Sequence, residues 1–223
     1  MKNIIKKSWR DVTINEYFDF RDKLESATSD YEKEIIKIAF VNGFNEDDVW
    51  NMTISDVKRY QQNTYWLNDF EISKDVKFKN IKIEDEVYRI NPDMQSFSVA
   101  QYIDFQNFFP KRTQKTNYIG NILACFIVPK GKKYGEGYDV AQLVNKINDN
   151  VDILTSNEII FFFLKRYLFS IKVMLTFFKY QMKILKLIGK KRNKEKIKVI
   201  EEKVKELEKN ISVGLLSLIT SPN

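Results

Sequence analysis

Three features of this 223-residue chain carry side chains that could do chemistry: Cys125, the loop Gly131-Lys132-Lys133-Tyr134-Gly135-Glu136-Gly137, and the acidic triplet Glu46-Asp47-Asp48. A nucleophilic thiol needs a low pKa and access to solvent. Cys125 sits instead in the run Ile122-Leu123-Ala124-Cys125-Phe126, where a thiol acts as a small hydrophobe. The glycine-rich loop lacks the G-x-x-x-x-G-K-[ST] spacing and does not lead from a strand into a helix. It reads as a surface loop with basic residues available to a partner. The acidic triplet lacks the ligand spacing of a calcium loop, and three acids in a row suit the positive end of a helix. The chain has no His, which removes His-based triads, His general bases and most zinc sites. A single Cys excludes an internal disulfide, and no pair among 30 acidic residues is singled out for acid–base work. The reading is a non-enzymatic protein with no catalytic residue, no metal site and no cofactor.

The elements around these residues are legible. Apolar residues make up 43%, aromatics 14% and charged residues 30%, with only 7 Gly and 4 Pro, so long regular elements with a substantial core are expected. Capping patterns predict helices after Thr13-Ile14-Asn15-Glu16, near Asp30 with a stop at Asn42-Gly43, at Asn45-Glu46-Asp47-Asp48 and after Thr53-Ile54-Ser55-Asp56. The period then changes to two over Lys77-Phe78-Lys79, Ile81-Lys82-Ile83-Glu84 and Val87-Tyr88-Arg89-Ile90, a small antiparallel hairpin with Asp85-Glu86 between its last two runs. Further helices follow Ser98-Val99-Ala100-Gln101, cover Thr116 to Phe126 and start at Asp139; the stretch Pro129 to Tyr138 reads as loop. Thr155-Ser156-Asn157-Glu158 reads as a capping box that opens a helix reaching Ile188. After a basic turn, Ile197, Ile200, Val204, Leu207 and Ile211 alternate three and four, a short heptad seam. The expected fold is mainly α (α+β): a helical N-terminal region, a small antiparallel β-hairpin and a long C-terminal antiparallel helical hairpin. Two parts are expected, a mixed helical domain over 1–155 and a basic helical hairpin over 156–223 packed on it.

The long helix raises the functional question. Net charge is −3 over residues 1–70, +1 over 71–155 and +9 over 156–223, and no acidic residue occurs from Ile159 to Lys194. Lys165, Lys172, Lys179 and Lys186 recur every seven residues, with Lys183 and Lys190 beside them, in a sector of roughly 60°. The rest of the circumference is mostly Phe, Leu, Ile, Val and Met. Those lysines would sit at bilayer depth in a spanning segment, so the helix is not read as crossing a membrane; nor does the basic start Met1 to Arg10 contain the apolar run of a signal peptide. Three readings remain: a core helix whose lysines form its wet edge, matched by Glu201, Glu202, Glu206 and Glu208; a helix buried between chains; or a basic surface for nucleic acid or anionic lipid.

The stretches Ser8-Trp9-Arg10-Asp11-Val12-Thr13-Ile14-Asn15-Glu16-Tyr17 and Ser98-Val99-Ala100-Gln101-Tyr102-Ile103-Asp104, with the aliphatic helix running into Ile127-Val128-Pro129, resemble tail or neck accessory proteins and tail assembly chaperones of tailed bacteriophages that infect Bacteroidetes. The resemblance implies a virion structural or assembly protein made in the host cytoplasm, with other virion or assembly proteins as partners; the apolar surplus of the long helix adds the expectation of a homo-oligomer or a place in a larger assembly. It carries no catalytic residues. The expected partner contacts are Phe162, Phe169, Phe177, Leu215 and Leu218. The alternative is a nucleic-acid-binding accessory protein whose phosphate contacts are Lys165, Lys172, Lys179, Lys183, Lys186, Lys190, Lys191 and Arg192.

Overall fold

The computed structural model describes residues 5–73, 79–91, 96–108, 118–188 and 193–219, except for the side chains of 168, 188, 193, 207 and 210–219. Local capping chemistry sets the first helices. Thr13 accepts from the Glu16 amide while Glu16 reaches back to the Thr13 amide, which opens α1 (Ile14–Ser26). Ser29 caps α2 (Asp30–Asn42), and Gly43 closes it at φ 67°, a left-handed conformation that glycine takes without a Cβ clash. Asn45 and Thr53 cap α3 (Glu46–Trp50) and α4 (Ile54–Gln61). The acidic triplet occupies the first turn of α3, where the helix dipole favours negative charge.

Two apolar groups hold this region. Ile35, Ile38, Ala39 and Val49 are buried with Phe44, Met52, Val57 and Tyr60 packed against them. Trp9 is buried edge-on to Tyr17, Trp66 and Phe70 at ring-centroid distances of 5.6, 5.2 and 5.3 Å, while Phe20 stacks on Phe40 at 4.0 Å. Aromatic pairs in these geometries add about 0.5–1.5 kcal/mol each beyond the area they bury.

The sheet has three strands in the order β1 (Asn80–Ile83), β2 (Glu86–Ile90), β3 (Ile127–Pro129), all antiparallel. Ile83 pairs with Glu86, so the turn is Glu84-Asp85 and Glu86 already belongs to β2, one residue earlier than the alternation suggested. Lys77 and Phe78 lie outside the described residues. The third strand is a correction: Pro129 ends β3, whereas the sequence reading began a loop there. Ile83, Tyr88, Ile90 and Ile127 are buried, so the sheet turns an apolar side inward.

Ser98 and Gln101 form the expected reciprocal cap on α5 (Val99–Phe108), with the Gln101 amide donating to Ser98 Oγ at 3.2 Å. Helix α6 (Ile119–Phe126) is the most deeply buried element: Gly120 and every residue from Ile122 to Phe126 are buried. It packs on α5 and on α7 (Val140–Asn150).

Helix α8 (Ile153–Ile188) starts three residues earlier than a cap at Thr155 would open it. Asp152 supplies the cap, its Oδ1 accepting from the Thr155 amide at 2.8 Å. The adjoining backbone is tied to the N-terminal segment, with Ile14 N donating to Val151 O at 3.1 Å and Ile153 N to Val12 O at 2.9 Å. Glu158 is thus not a capping residue. Its buried carboxylate accepts from Arg10 Nη2 at 2.7 Å and from the Ser73 amide at 3.3 Å. A charged pair so placed leaves a costly uncompensated carboxylate if Arg10 is lost.

The chain divides into two compact units, 1–160 and 161–223. The second contains α8 from Phe161 onward and α9 (Asn193–Ile219). Lys179 pairs with Glu208 at 2.9 Å and Lys186 with Glu201 at 3.4 Å. One member of each pair advances seven residues while the other retreats seven, so α8 and α9 form an antiparallel hairpin. Ile171 and Val204 are buried, and Phe178, Leu185, Ile197 and Ile200 are half-buried.

Two outcomes follow for stability. A Cβ at Gly120 would lie 2.1 Å from Asn148 Oδ1 and 2.7 Å from its Cγ, with the Asn148 side chain itself buried. Gly120→Ala should therefore cost about 1–3 kcal/mol in urea unfolding despite the better helix propensity of Ala, and the cost should vanish in an Asn148→Ala background. The buried Tyr88 hydroxyl donates to Glu86, and burial, then that bond and charge, push its pKa up to about 12. A raised phenol pKa means stability that is present below the unfolded value of 10 and lost as pH rises toward about 12. Urea midpoints across that window should fall more steeply for the wild type than for Tyr88→Phe; equal slopes would rule out the Tyr88 contribution.

Candidate docking surface on the long helix

The chemically suggestive residues of the first unit resolve into structure. Cys125 is fully buried, its Sγ donates to the Asn121 carbonyl at 3.3 Å, and burial pushes its pKa up to about 12, with the Asp104 charge adding to the rise. A thiol so held stays protonated and out of reach of reagents. The Tyr134 hydroxyl donates to Asp104 at 2.7 Å, and burial followed by that bond pushes its pKa upward. Lys132 turns back onto its own loop and donates to the Gly137 carbonyl at 2.6 Å. The amides of Lys132 and Glu136 are used in turns to Pro129 and Lys133, so the loop does not present an open row of N–H groups. Among the described residues there is no cluster of His, Cys, Asp or Glu fit to hold a metal ion.

The unusual surface belongs to the second unit. Phe169, Val173, Phe177, Tyr180, Ile184 and Leu187 are all exposed, from 38% at Ile184 to 79% at Leu187. At 100° per residue they fall within a sector of about 80°, almost diametrically opposite the buried Ile171. From Val173 onward their spacing is four, three, four, three, the a/d rhythm of a helix that packs along another helix. The face is about 27 Å long at 1.5 Å per residue. At one end, Ile184 also lines an open groove of about 550 Å³ with Gln181, Leu185, Lys196, Val199 and Ile200.

No protein-family model matches the chain, nor does any curated protein or solved structure.

Of the expected partner contacts, Phe169 and Phe177 lie on this exposed face. Phe162 is half-buried, with the Arg166 guanidinium 5.0 Å above its ring. Leu215 and Leu218 lie outside the residues whose side chains are described. Sequence reasoning missed Val173, Tyr180, Ile184 and Leu187 as members of the same row. The four–three spacing was present as a signal, but on a helix apolar around most of its circumference it does not say which row remains uncovered.

The lysines flank the face on one side. Lys165, Lys172, Lys179, Lys183 and Lys186 are exposed, and among the described residues only Lys179 and Lys186 of these five have ion-pair partners, Glu208 and Glu201. The match to α9 acids expected from the sequence is therefore seen at two positions. Lys190, Lys191 and Arg192 lie outside the described residues. No helix among the described residues is long and apolar enough to cross a membrane.

Proposed function

We propose that this chain is a non-enzymatic assembly protein that docks another protein chain along the exposed apolar face of α8. The observation that carries the reading is the alignment of six large exposed apolar residues, Phe169 to Leu187, on one side of a helix whose opposite side already packs in the hairpin. Fully burying one such side chain is worth about 1.5–3 kcal/mol. Six left in water along one line make a surface that gains strongly from being covered. Single exposed apolar residues need no explanation; a periodic row does.

The resemblance of Ser8 to Tyr17 and Ser98 to Asp104 to phage tail and neck proteins supports placing the partner among virion or tail-assembly proteins, with assembly in a host cytoplasm. Both stretches are fold-forming: each contains a reciprocal helix cap, at Thr13–Glu16 and at Ser98–Gln101. They bear on the family of the scaffold, while the docking face lies elsewhere in the chain. A second reading, nucleic-acid binding, draws on Lys165, Lys172 and Lys183, which have no ion-pair partner among the described residues. It is weakened by Lys179 and Lys186, whose charges are already shared with Glu208 and Glu201. Titration with duplex DNA separates the two, because phosphate contacts give a log–log salt slope near −0.9 for each phosphate neutralised.

The direct test is co-expression with whatever proteins are encoded beside this chain. The wild type should elute with one of them in a stoichiometric complex. Phe169→Ser/Phe177→Ser should elute alone with unchanged helical circular dichroism and a stability within about 0.5 kcal/mol of wild type, as expected of surface positions. A complex that survives the double substitution would move the contact off this face. A chain that binds none of them and stays monomeric at the highest attainable concentration would remove the assembly role.

A further inference from the structure

The occupant of the face can be described by its chemistry, a step that rests on the docking role proposed above. Val173, Phe177, Tyr180, Ile184 and Leu187 repeat every three and four residues, and a surface with that rhythm is followed by another α-helix inserting side chains between successive positions. The two borders of the row differ in charge. One carries Lys165, Lys172, Lys179, Lys183 and Lys186; the other presents Ser170, Met174 and Gln181, with no charge. Among the described residues Lys165, Lys172 and Lys183 have no ion-pair partner, and no acid from Ile159 to Lys194 is there to provide one from the same helix.

A second copy of this helix fits that border poorly. In an antiparallel pair related by a two-fold axis, like borders face one another, so the lysine flanks of both copies meet across the contact. In a parallel pair, each lysine flank meets the neutral flank of the other copy and its unpaired cations stay unpaired. Like charges in register are destabilising, while opposite charges at flanking positions set partner choice. We infer that the seam takes an amphipathic helix from a different protein, with an apolar row on Val173, Phe177, Tyr180, Ile184 and Leu187 and with Asp or Glu opposite Lys165, Lys172 and Lys183. A bulky apolar residue near one end of that helix enters the groove between Ile184 and Val199.

The test uses two synthetic helical peptides of about four heptads, both with Leu and Ile at the a and d positions. One carries Glu along the flank that meets the lysines, the other carries Lys there, and each bears a fluorescein label. Anisotropy titrations with the full chain should show one-to-one binding of the Glu peptide at least about tenfold tighter than its Lys twin, the ratio shrinking as salt screens the flank. Phe177→Ser/Tyr180→Ser should abolish binding of both peptides, and Lys172→Glu/Lys183→Glu should reverse their order. Equal affinities for the two peptides would overturn the acidic-partner inference while leaving the docking role intact. No binding of either peptide, with a chain that dimerises in sedimentation and loses the dimer on Phe177→Ser, would hand the seam to a second copy and overturn the inference in the same way. No binding and no self-association at any concentration would overturn both.

Discussion

A single neighbouring helix can cover only one side of an α-helix, and α8 is apolar on two. The side that carries Ile171 is buried within the hairpin, with Phe178 and Leu185 half-buried on the same side. The opposite side, from Phe169 to Leu187, has no such cover among the described residues. Between them runs the lysine border. It keeps part of the helix wet, and two of its lysines bond to Glu208 and Glu201, which brace the antiparallel pair. Exposed ion pairs of this kind contribute little to stability, of order 0–1 kcal/mol, so they act more on the register of the two helices than on their strength. The arrangement separates two tasks: one face of α8 makes the hairpin, and the other is left for a partner.

The first unit is built by different means. Short capped helices, an aromatic cluster around Trp9 and a buried α6 give it a core that involves none of the exposed row. Its N-terminal segment is joined to the start of α8 by backbone bonds at Ile14 and Ile153 and by the Arg10–Glu158 pair. The first turns of the long helix are therefore fixed by contacts almost 150 residues distant in sequence.

That long-range tie marks the limit of what the sequence reveals. The caps at Thr13, Asn45, Thr53 and Ser98 were legible because a cap is made by residues within one turn of each other. The same local pattern at Thr155-Ser156-Asn157-Glu158 misled, because Glu158 is taken by Arg10 and Asp152 caps the helix instead. The strand Ile127–Pro129 was hidden because three residues directly after an apolar helix have no period of their own; pairing with β2 makes them a strand. On α8 the helix, its lysine border and two of the exposed rings, Phe169 and Phe177, were legible. The rest of the row was not, since choosing an uncovered face requires knowing which face α9 occupies.

Whether the row is open in the isolated chain is the point on which the account turns, and cysteine labelling measures it directly. The one native thiol, Cys125, is buried with its pKa pushed up to about 12, so it gives a silent background. In dilute chain shown to be monomeric, Phe177→Cys should react with Ellman's reagent at nearly the rate of an unfolded peptide thiol. Ile171→Cys, on the covered side, should react slower by about two orders of magnitude or more, at the rate of local opening. Equal protection of both positions in the monomer would show that the chain hides its own row, and would contradict the account.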